Sequence, residues 1–208
     1  ASDLAREAGV TPGVIRGLAD AGGLLPLRLP DRENFDIPDP DKKGPDLSPD
    51  QAKAADALCQ AVKADTFSVT LLDGITGSGK TEVYFEAIAT ALAADQTVLV
   101  LLPEIALSAQ WLERFQDRFG VRPAEWHSDL SPGTRRRTWR AVAEDRVRIM
   151  VGARSALHLP FRDLGLIVVD EEHDGSFKQE EGVIYHARDM AVLRAQIFEC
   201  PIVLASAT

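Results

Sequence analysis

Cysteine is nearly absent from this chain: among 208 residues only Cys59 and Cys200 occur, far apart and without a nearby second ligand. That argues against a structural zinc site and for two reduced, core-filling thiols. Long apolar runs are missing too, and none approaches the roughly 20 residues that a membrane helix needs. The opening residues Ala1-Ser2-Asp3-Leu4-Ala5-Arg6-Glu7 lack the basic-then-apolar build of a secretion signal. The expectation is a soluble, cytoplasmic protein with no membrane partner. A surplus of positive charge is also lacking, since the formal net charge is −9. Distribution matters more than the total, however. Arg135, Arg136, Arg137, Arg140, Arg146, Arg148 and Arg154 are opposed in their stretch only by Glu144 and Asp145, while acids concentrate over 31–50. Two readings stay open: a local nucleic-acid surface, or a solvated helix face.

What is present is a core-forming composition, 45% hydrophobic, enough for one domain with an attachment. Residues 2–25 read as two short helices. Ser2 caps the first, Gly9 ends it, and Thr11-Pro12 starts a second that stops at Gly22-Gly23. Leu4, Val10, Val14, Ile15 and Leu18 form the apolar set. Helix, tight turn, helix is a helix-turn-helix pattern, with a plain helical hairpin as the alternative. From Pro26 to Leu47 the chain is rich in Pro and Asp and without a period, as in a linker. Ser48-Pro49-Asp50 then caps a helix running to about Lys63.

Beyond it strands and helices alternate. Strands are expected at 66–72, 97–102, 124–127, 147–151, 164–169 and 202–205, and helices at 81–94, 105–119, 132–143 and 187–198. Continuous apolar runs such as Val98-Leu99-Val100-Leu101-Leu102 fit strands covered on both faces. The fold class is α/β, with a mostly parallel, doubly wound sheet flanked by helices. Trp111, Trp126 and Trp139 read as core residues.

Two motifs carry chemistry. Gly74-Ile75-Thr76-Gly77-Ser78-Gly79-Lys80-Thr81 has the full spacing of a phosphate-binding loop between a strand and a helix. Gly74, Gly77 and Gly79 let successive N–H groups turn inward, with Thr76 and Ser78 completing the curl. Lys80 brings a charge to the β- and γ-phosphates of ATP, Thr81 a hydroxyl to Mg²⁺, and Glu82 closes the candidate nucleotide set. The second motif is Leu166-Ile167-Val168-Val169-Asp170-Glu171-Glu172-His173. An acid straight after a buried strand sits at the carboxyl edge of the sheet, where ligands bind in such folds. Asp170 is the expected Mg²⁺ carboxylate and Glu171 the group that polarises the attacking water. His173 reads as a coupling hydrogen-bond residue rather than a metal ligand.

These residues, with Leu-Pro-Glu-Ile-Ala-Leu (102–107), His-Ser-Asp-Leu-Ser (127–131), Gly-Ala-Arg-Ser-Ala-Leu (152–157), Lys-Gln-Glu-Glu-Gly (178–182), Tyr-His-Ala-Arg-Asp (185–189) and the terminal Ser-Ala-Thr, occur in the order seen in one family. Over 47–208 the chain resembles the PriA family of bacterial replication-restart helicases, in superfamily 2. The resemblance implies a RecA-like ATP-binding lobe 1 at 47–208, a linker at 31–46 and part of a winged helix at 1–30. It implies ATP-dependent 3′→5′ unwinding of forked or single-stranded DNA in the bacterial cytoplasm, alongside primosome and single-strand-binding proteins. Gln51 matches the glutamine that reads adenine. Pro103, Glu104, Arg154 and Ser155 match DNA-backbone contacts, Phe177 and Tyr185 an aromatic-rich loop that stacks bases. Ser206 and Thr208 match the motif joining nucleotide and DNA sites. Ala153 stands where the family pattern has Thr, and Val183 where it has an aromatic.

The family's second lobe, which supplies arginines to the γ-phosphate, and its zinc module have no counterpart in these residues. No zinc is therefore expected in this chain, though the full-length family carries it. The expectation is a piece that holds nucleotide weakly and turns it over negligibly alone, since such an arginine is worth about 10³–10⁵ in rate. The alternatives are a RecG-like fork-remodelling translocase and a transcription regulator with a nucleotide-sensing domain. Against the regulator, Arg16 is the only cation in the would-be recognition helix.

Overall fold

The computed structural model describes residues 2–25, 35–103 and 109–207. The chain divides into two compact units, Ala1–Glu33 and Asn34–Thr208.

In the first unit, α1 (Ser2–Glu7) and α2 (Pro12–Asp20) pack on each other. Pro12 sits at the start of α2, where its missing N–H costs nothing. Thr11 holds the cap position with extended backbone, but its side chain makes no cap hydrogen bond. Of the expected apolar set only Ile15 is buried, while Leu4, Val10, Val14 and Leu18 stay exposed. Two helices this short offer too little mass to cover one another.

The second unit is a sheet between two layers of helices. Its elements are α3 (Pro49–Ala64), β1 (Ser68–Asp73), α4 (Lys80–Ala93), β2 (Val98–Leu101), α5 (Ala109–Phe119), β3 (Ala124–Trp126), α6 (Pro132–Ala143) and β4 (Ile149–Gly152). A 3-10 turn (Arg154–His158), β5 (Leu166–Val169), a second 3-10 turn (Gly175–Phe177), β6 (Lys178–Gln179), β7 (Tyr185–His186), α7 (Ala187–Ile197) and β8 (Pro201–Ser206) follow. Six strands pair in the order β1-β8-β5-β2-β4-β3, all parallel. The expected strands and helices are all present, with ends shifted by a few residues. The short antiparallel hairpin β6–β7 was not foreseen, being too short for any period to register. Residues 105–108 of the expected fifth helix lie outside the described residues, as do Glu104 and Thr208.

Alternation along the buried strands feeds two cores. Val98, Val100, Val151, Val168 and Val203 face α3, α4 and α5, whereas Leu99, Leu101, Met150, Ile167 and Ile202 face α6 and α7. Helix α6 turns Thr138, Ala141 and Val142 inward. That i, i+3, i+4 spacing leaves Trp139 on the outer side. Trp139 is 49% exposed and not the core residue expected; Trp111 and Trp126 are buried as expected. Both thiols have raised pKa values through burial, Cys200 up to about 12.

The linker reading also needs adjusting. Residues 35–47 hold no regular element, yet the Asp39 N–H donates to the Phe119 carbonyl and Arg118 donates to the carbonyl of Lys42. Phe35 and Leu47 pack against the two cores.

Candidate functional site

Parallel strands all end at one edge, and the chemistry-bearing residues collect there. The phosphate loop leaves β1, where the Gly74 N–H donates to the Ser206 carbonyl at the end of β8 (3.3 Å). Gly77 and Gly79 have φ of +81° and +80°, the left-handed region that favours glycine. A Cβ on Gly79 would also stand 2.5 Å from Gln51 Nε2. Lys80 opens α4, and its Nζ donates to the carbonyls of Gly74 (2.7 Å) and Ile75 (3.3 Å), inside the loop's curl. Thr76 and Gly77 lie exposed at the tip.

Gln51 ties this loop to the start of α3. Ser48 and Gln51 form a reciprocal capping box at the start of α3, and Gln51 Nε2 donates to the Ser78 carbonyl at 2.8 Å. Glu82, in the first turn of α4, accepts from Arg114 of α5 at 2.6 Å. Its carboxylate is thus engaged by a helix rather than open to the loop.

Asp170 ends β5. Its Oδ1 accepts from the Glu171 N–H (3.0 Å) and its Oδ2 from the Tyr84 hydroxyl (2.9 Å). Burial raises its pKa, with the Tyr84 hydrogen bond acting in the opposite direction. Tyr84 in turn accepts from Trp111 Nε1 at 2.8 Å, and Thr81 is a further hydrogen-bond neighbour of its hydroxyl. Thr81 and Asp170 therefore converge on one point beside Lys80. Glu171 holds φ of +49°, uncommon for a residue with a Cβ. Glu172 lies 2.9 Å from Arg188, and His173 Nδ1 lies 3.2 Å from Ser206 Oγ. His173 and Ser206, expected as coupling residues, are thus in contact.

The strand order sorts the motifs. The carboxyl ends of β1, β8 and β5, three adjacent strands, lead to Gly74–Thr81, hold Ser206 and lead to Asp170–His173. The neighbouring strands β2, β4 and β3 lead to Pro103, to Arg154-Ser155 and to 127–131. Pro103 is buried, and Ser155 is half-buried beside Arg154 in the first 3-10 turn. Arg154 Nη1 donates to the carbonyls of Ser176 (3.2 Å) and Lys178 (2.7 Å). His158 Nε2 meets the Tyr185 hydroxyl at 3.1 Å. The arginine expected to hold DNA phosphate thus braces the loop that leads into the hairpin.

Phe177 corrects another expectation. Asp174 caps the second 3-10 turn through the Ser176 N–H (2.7 Å), and the turn points Phe177 into the core at 1% exposure. A ring so covered offers no face to a base. Tyr185 remains half-buried, and the exposed apolar residues of the hairpin loop are Val183 and Ile184. The basic stretch is also largely engaged. Arg140 and Arg146 reach Glu144, Arg148 reaches Asp95 and Asp145, and Arg135 lies over Trp126. An apolar hollow of about 250 Å³ beside α7, lined in part by Leu157, Leu193 and Ile197, includes none of the phosphate-loop residues.

Among the described residues no three His, Cys, Asp or Glu side chains gather into a metal cage. A Mg²⁺ ion needs none, because one or two protein oxygens plus substrate phosphates suffice. The Thr81 hydroxyl and Asp170 carboxylate fit that donor set.

Residues 48–208 match the model of the DEAD/DEAH box helicase family. The chain belongs to that family. It is similar to replication restart protein PriA of Rickettsia conorii, 49% identical over 164 residues that make up 79% of this chain and 24% of the relative. The PriA of Bacillus subtilis is 46% identical over 162 residues, 78% of this chain and 20% of its own. That of Chlamydia muridarum is 36% identical over 212 residues, 99% of this chain and 28% of its own. The chain thus spans about a quarter of the length of these relatives. Among solved structures it resembles RecG bound to a three-way DNA junction (TM-score 0.59, 19% identity, 79% of this chain and 21% of that one). It also resembles the Hef helicase domain of Pyrococcus furiosus (TM-score 0.51, 20% identity, 74% and 31%). At such identities the likeness concerns the fold alone, the RecA-like α/β fold of helicase domains.

Tyr84, Arg188 and Trp111 are the working contacts that the sequence reading missed. The Tyr84–Asp170, Trp111–Tyr84 and Arg188–Glu172 contacts join residues remote in the chain, so no local spacing announces them.

Proposed function

We propose that residues 47–208 are the ATP-binding lobe of an ATP-dependent DNA helicase of the PriA type, acting in bacterial replication restart on forked or single-stranded DNA. Residues 1–30 are then part of a winged helix and 31–46 its connector; the change of compact unit at 33/34 falls within that connector, whose later residues pack with the second unit. The carrying observation is the convergence of Lys80, Thr81, Asp170 and Ser206 through three neighbouring strands.

In this reading the loop N–H groups and Lys80 hold the β- and γ-phosphates, aided by the N-terminus of α4. Gln51 presents a donor and an acceptor to adenine after letting go of Ser48 or Ser78. Thr81 and Asp170 would hold Mg²⁺, which when bound neutralises phosphate charge. Glu171 orients the attacking water and takes its proton. His173 and Ser206 link the nucleotide side of the edge to the DNA side, where Ser155 and Tyr185 are the contacts retained. The Arg154 bridge supports a different part for that residue, joining the turn after β4 to the β6–β7 hairpin. ATP hydrolysis and displacement of a labelled strand from a fork, with and without Lys80→Ala in the full-length parent, test the reading. Unwinding that survives Lys80→Ala would refute it.

A further inference from the structure

The contact between Trp111, Tyr84 and Asp170 has a direction that chemistry forces. An indole N–H only donates and an ionised carboxylate only accepts. The hydroxyl between them must accept from Trp111 (2.8 Å) and give its own proton to Asp170 (2.9 Å). Tyr84 is fully buried and Asp170 nearly so, which leaves water little room to substitute for either partner. Donation from Trp111 polarises the hydroxyl and strengthens its bond to the carboxylate.

Trp111 belongs to α5, and α5 is fastened to α4 by two ion pairs one turn apart, Arg114–Glu82 (2.6 Å) and Arg118–Glu86 (3.1 Å). The Trp111 ring packs within 5.6 Å of Phe85 and 5.5 Å of Phe115, centroid to centroid. Its indole cannot tilt without disturbing both contacts. A shift of α5 against α4 therefore changes the bond at Tyr84 before it changes any residue of the phosphate loop.

We infer that Tyr84 and Trp111 are positioning residues that set the Asp170 carboxylate toward a divalent cation and make its setting depend on where α5 lies. This rests on the reading of Asp170 as a cation-holding carboxylate. The side chains link α5, which follows Pro103 at the DNA side of the edge, to the nucleotide side, without passing through the His173–Ser206 contact.

The test is Mn²⁺ binding by the 208-residue chain with a non-hydrolysable ATP analogue at millimolar concentration, followed by electron paramagnetic resonance. Asp170→Ala, Tyr84→Phe, Trp111→Phe and the Tyr84→Phe/Trp111→Phe pair are compared, each with its melting temperature. Loss of one charge-assisted buried hydrogen bond is expected to weaken Mn²⁺ binding about tenfold in Tyr84→Phe, and several-fold in Trp111→Phe. The pair is expected to regain stability relative to Tyr84→Phe, because the indole N–H is no longer orphaned, yet to bind Mn²⁺ no better. A merely structural role would instead let Mn²⁺ affinity follow stability. If Asp170→Ala abolishes binding while Tyr84→Phe stays within twofold of the unaltered chain, the inference fails and the reading of Asp170 survives. If Asp170→Ala binds normally, both fail. A readout that needs no destabilised protein is 5-fluorotryptophan NMR, in which the Trp111 resonance should move on adding Mg²⁺ and analogue while that of Trp139 stays. A stationary Trp111 signal at saturating analogue overturns the inference.

Discussion

The Gln51 carboxamide is held at both ends: Oε1 accepts from the Ser48 N–H and Nε2 donates to the Ser78 carbonyl, each at 2.8 Å. A helix cap and a phosphate loop share one side chain, and the two jobs separate by substitution. Gln51→Glu keeps the acceptor that closes the cap, since Ser-x-x-Glu is itself a capping box, but has no donor for Ser78. Gln51→Ala loses both, at about 1 kcal/mol of stability. Melting temperature should fall more in Gln51→Ala than in Gln51→Glu, while a fluorescent ADP analogue binds more weakly to both. Unchanged nucleotide affinity in both variants would remove Gln51 from the site.

Among the described residues, Lys80 donates to the loop carbonyls of Gly74 and Ile75. Lys80→Ala should move the melting temperature little, well under the shift expected for about 1 kcal/mol. The preference for ATP over adenosine, read by competition, should nevertheless collapse at least about tenfold.

Arg188 and Glu172 join the α7 N-terminal turn to the acidic motif at 2.9 Å, with Glu172 the more covered partner. A double-mutant cycle of Arg188→Ala and Glu172→Gln, followed by urea unfolding, should return a coupling of about 0.5–1 kcal/mol. Arg188→Ala alone should cost more than Glu172→Gln, because it leaves a covered carboxylate without its cation. Additive single effects would mean that the pair contributes nothing.

Asp174 has a lowered pKa, first through its hydrogen bonds from Ser176. A depressed acid contributes stability that is complete above its unfolded pKa of about 4 and is lost as pH falls through its lower folded value. Amide exchange at Ser176 and Phe177 should therefore be slower in the unaltered chain than in Asp174→Ala at pH 6. Expressed as protection relative to the intrinsic rate at each pH, the difference should close toward pH 2. A difference independent of pH would point to packing rather than to the carboxylate.

Much of this was legible in the sequence, for physical reasons. Glycine spacing before Lys80-Thr81 and the Val168-Val169-Asp170 step from buried strand to acid are local patterns, and local patterns survive without a fold. The strands β2, β4, β5 and β8 were legible because they are apolar and covered on both faces. What was lost depends on contacts between distant residues. Nothing near Tyr84 announces Asp170, and nothing near Arg154 announces the carbonyls of Ser176 and Lys178. Trp139 and Phe177 exchanged their expected places because hydrophobicity gives the tendency to be buried, while the phase of α6 and the Asp174 cap decide which ring is covered. The arginine run left a surface reading open because two of its partners, Asp95 for Arg148 and the Trp126 ring for Arg135, lie outside the run, while Glu144 and Asp145 within it engage more arginines than their number suggests.

Strand β1 pairs, among the described strands, with β8 alone. The strand that launches the phosphate loop is the first of the sheet to be synthesised, and its neighbour is the last of those described. Until β8 emerges, Val69 and its neighbours have no ladder to join and Gly74 has no Ser206 carbonyl to meet. Such long loop closure is entropically slow to reward. If the proposed function holds, the phosphate loop is the part of the nucleotide site that is completed late. A nascent chain halted before β8 would have the central strands β2 and β4 to nucleate a partial sheet, while its phosphate loop would lack the Ser206 carbonyl that receives the Gly74 N–H.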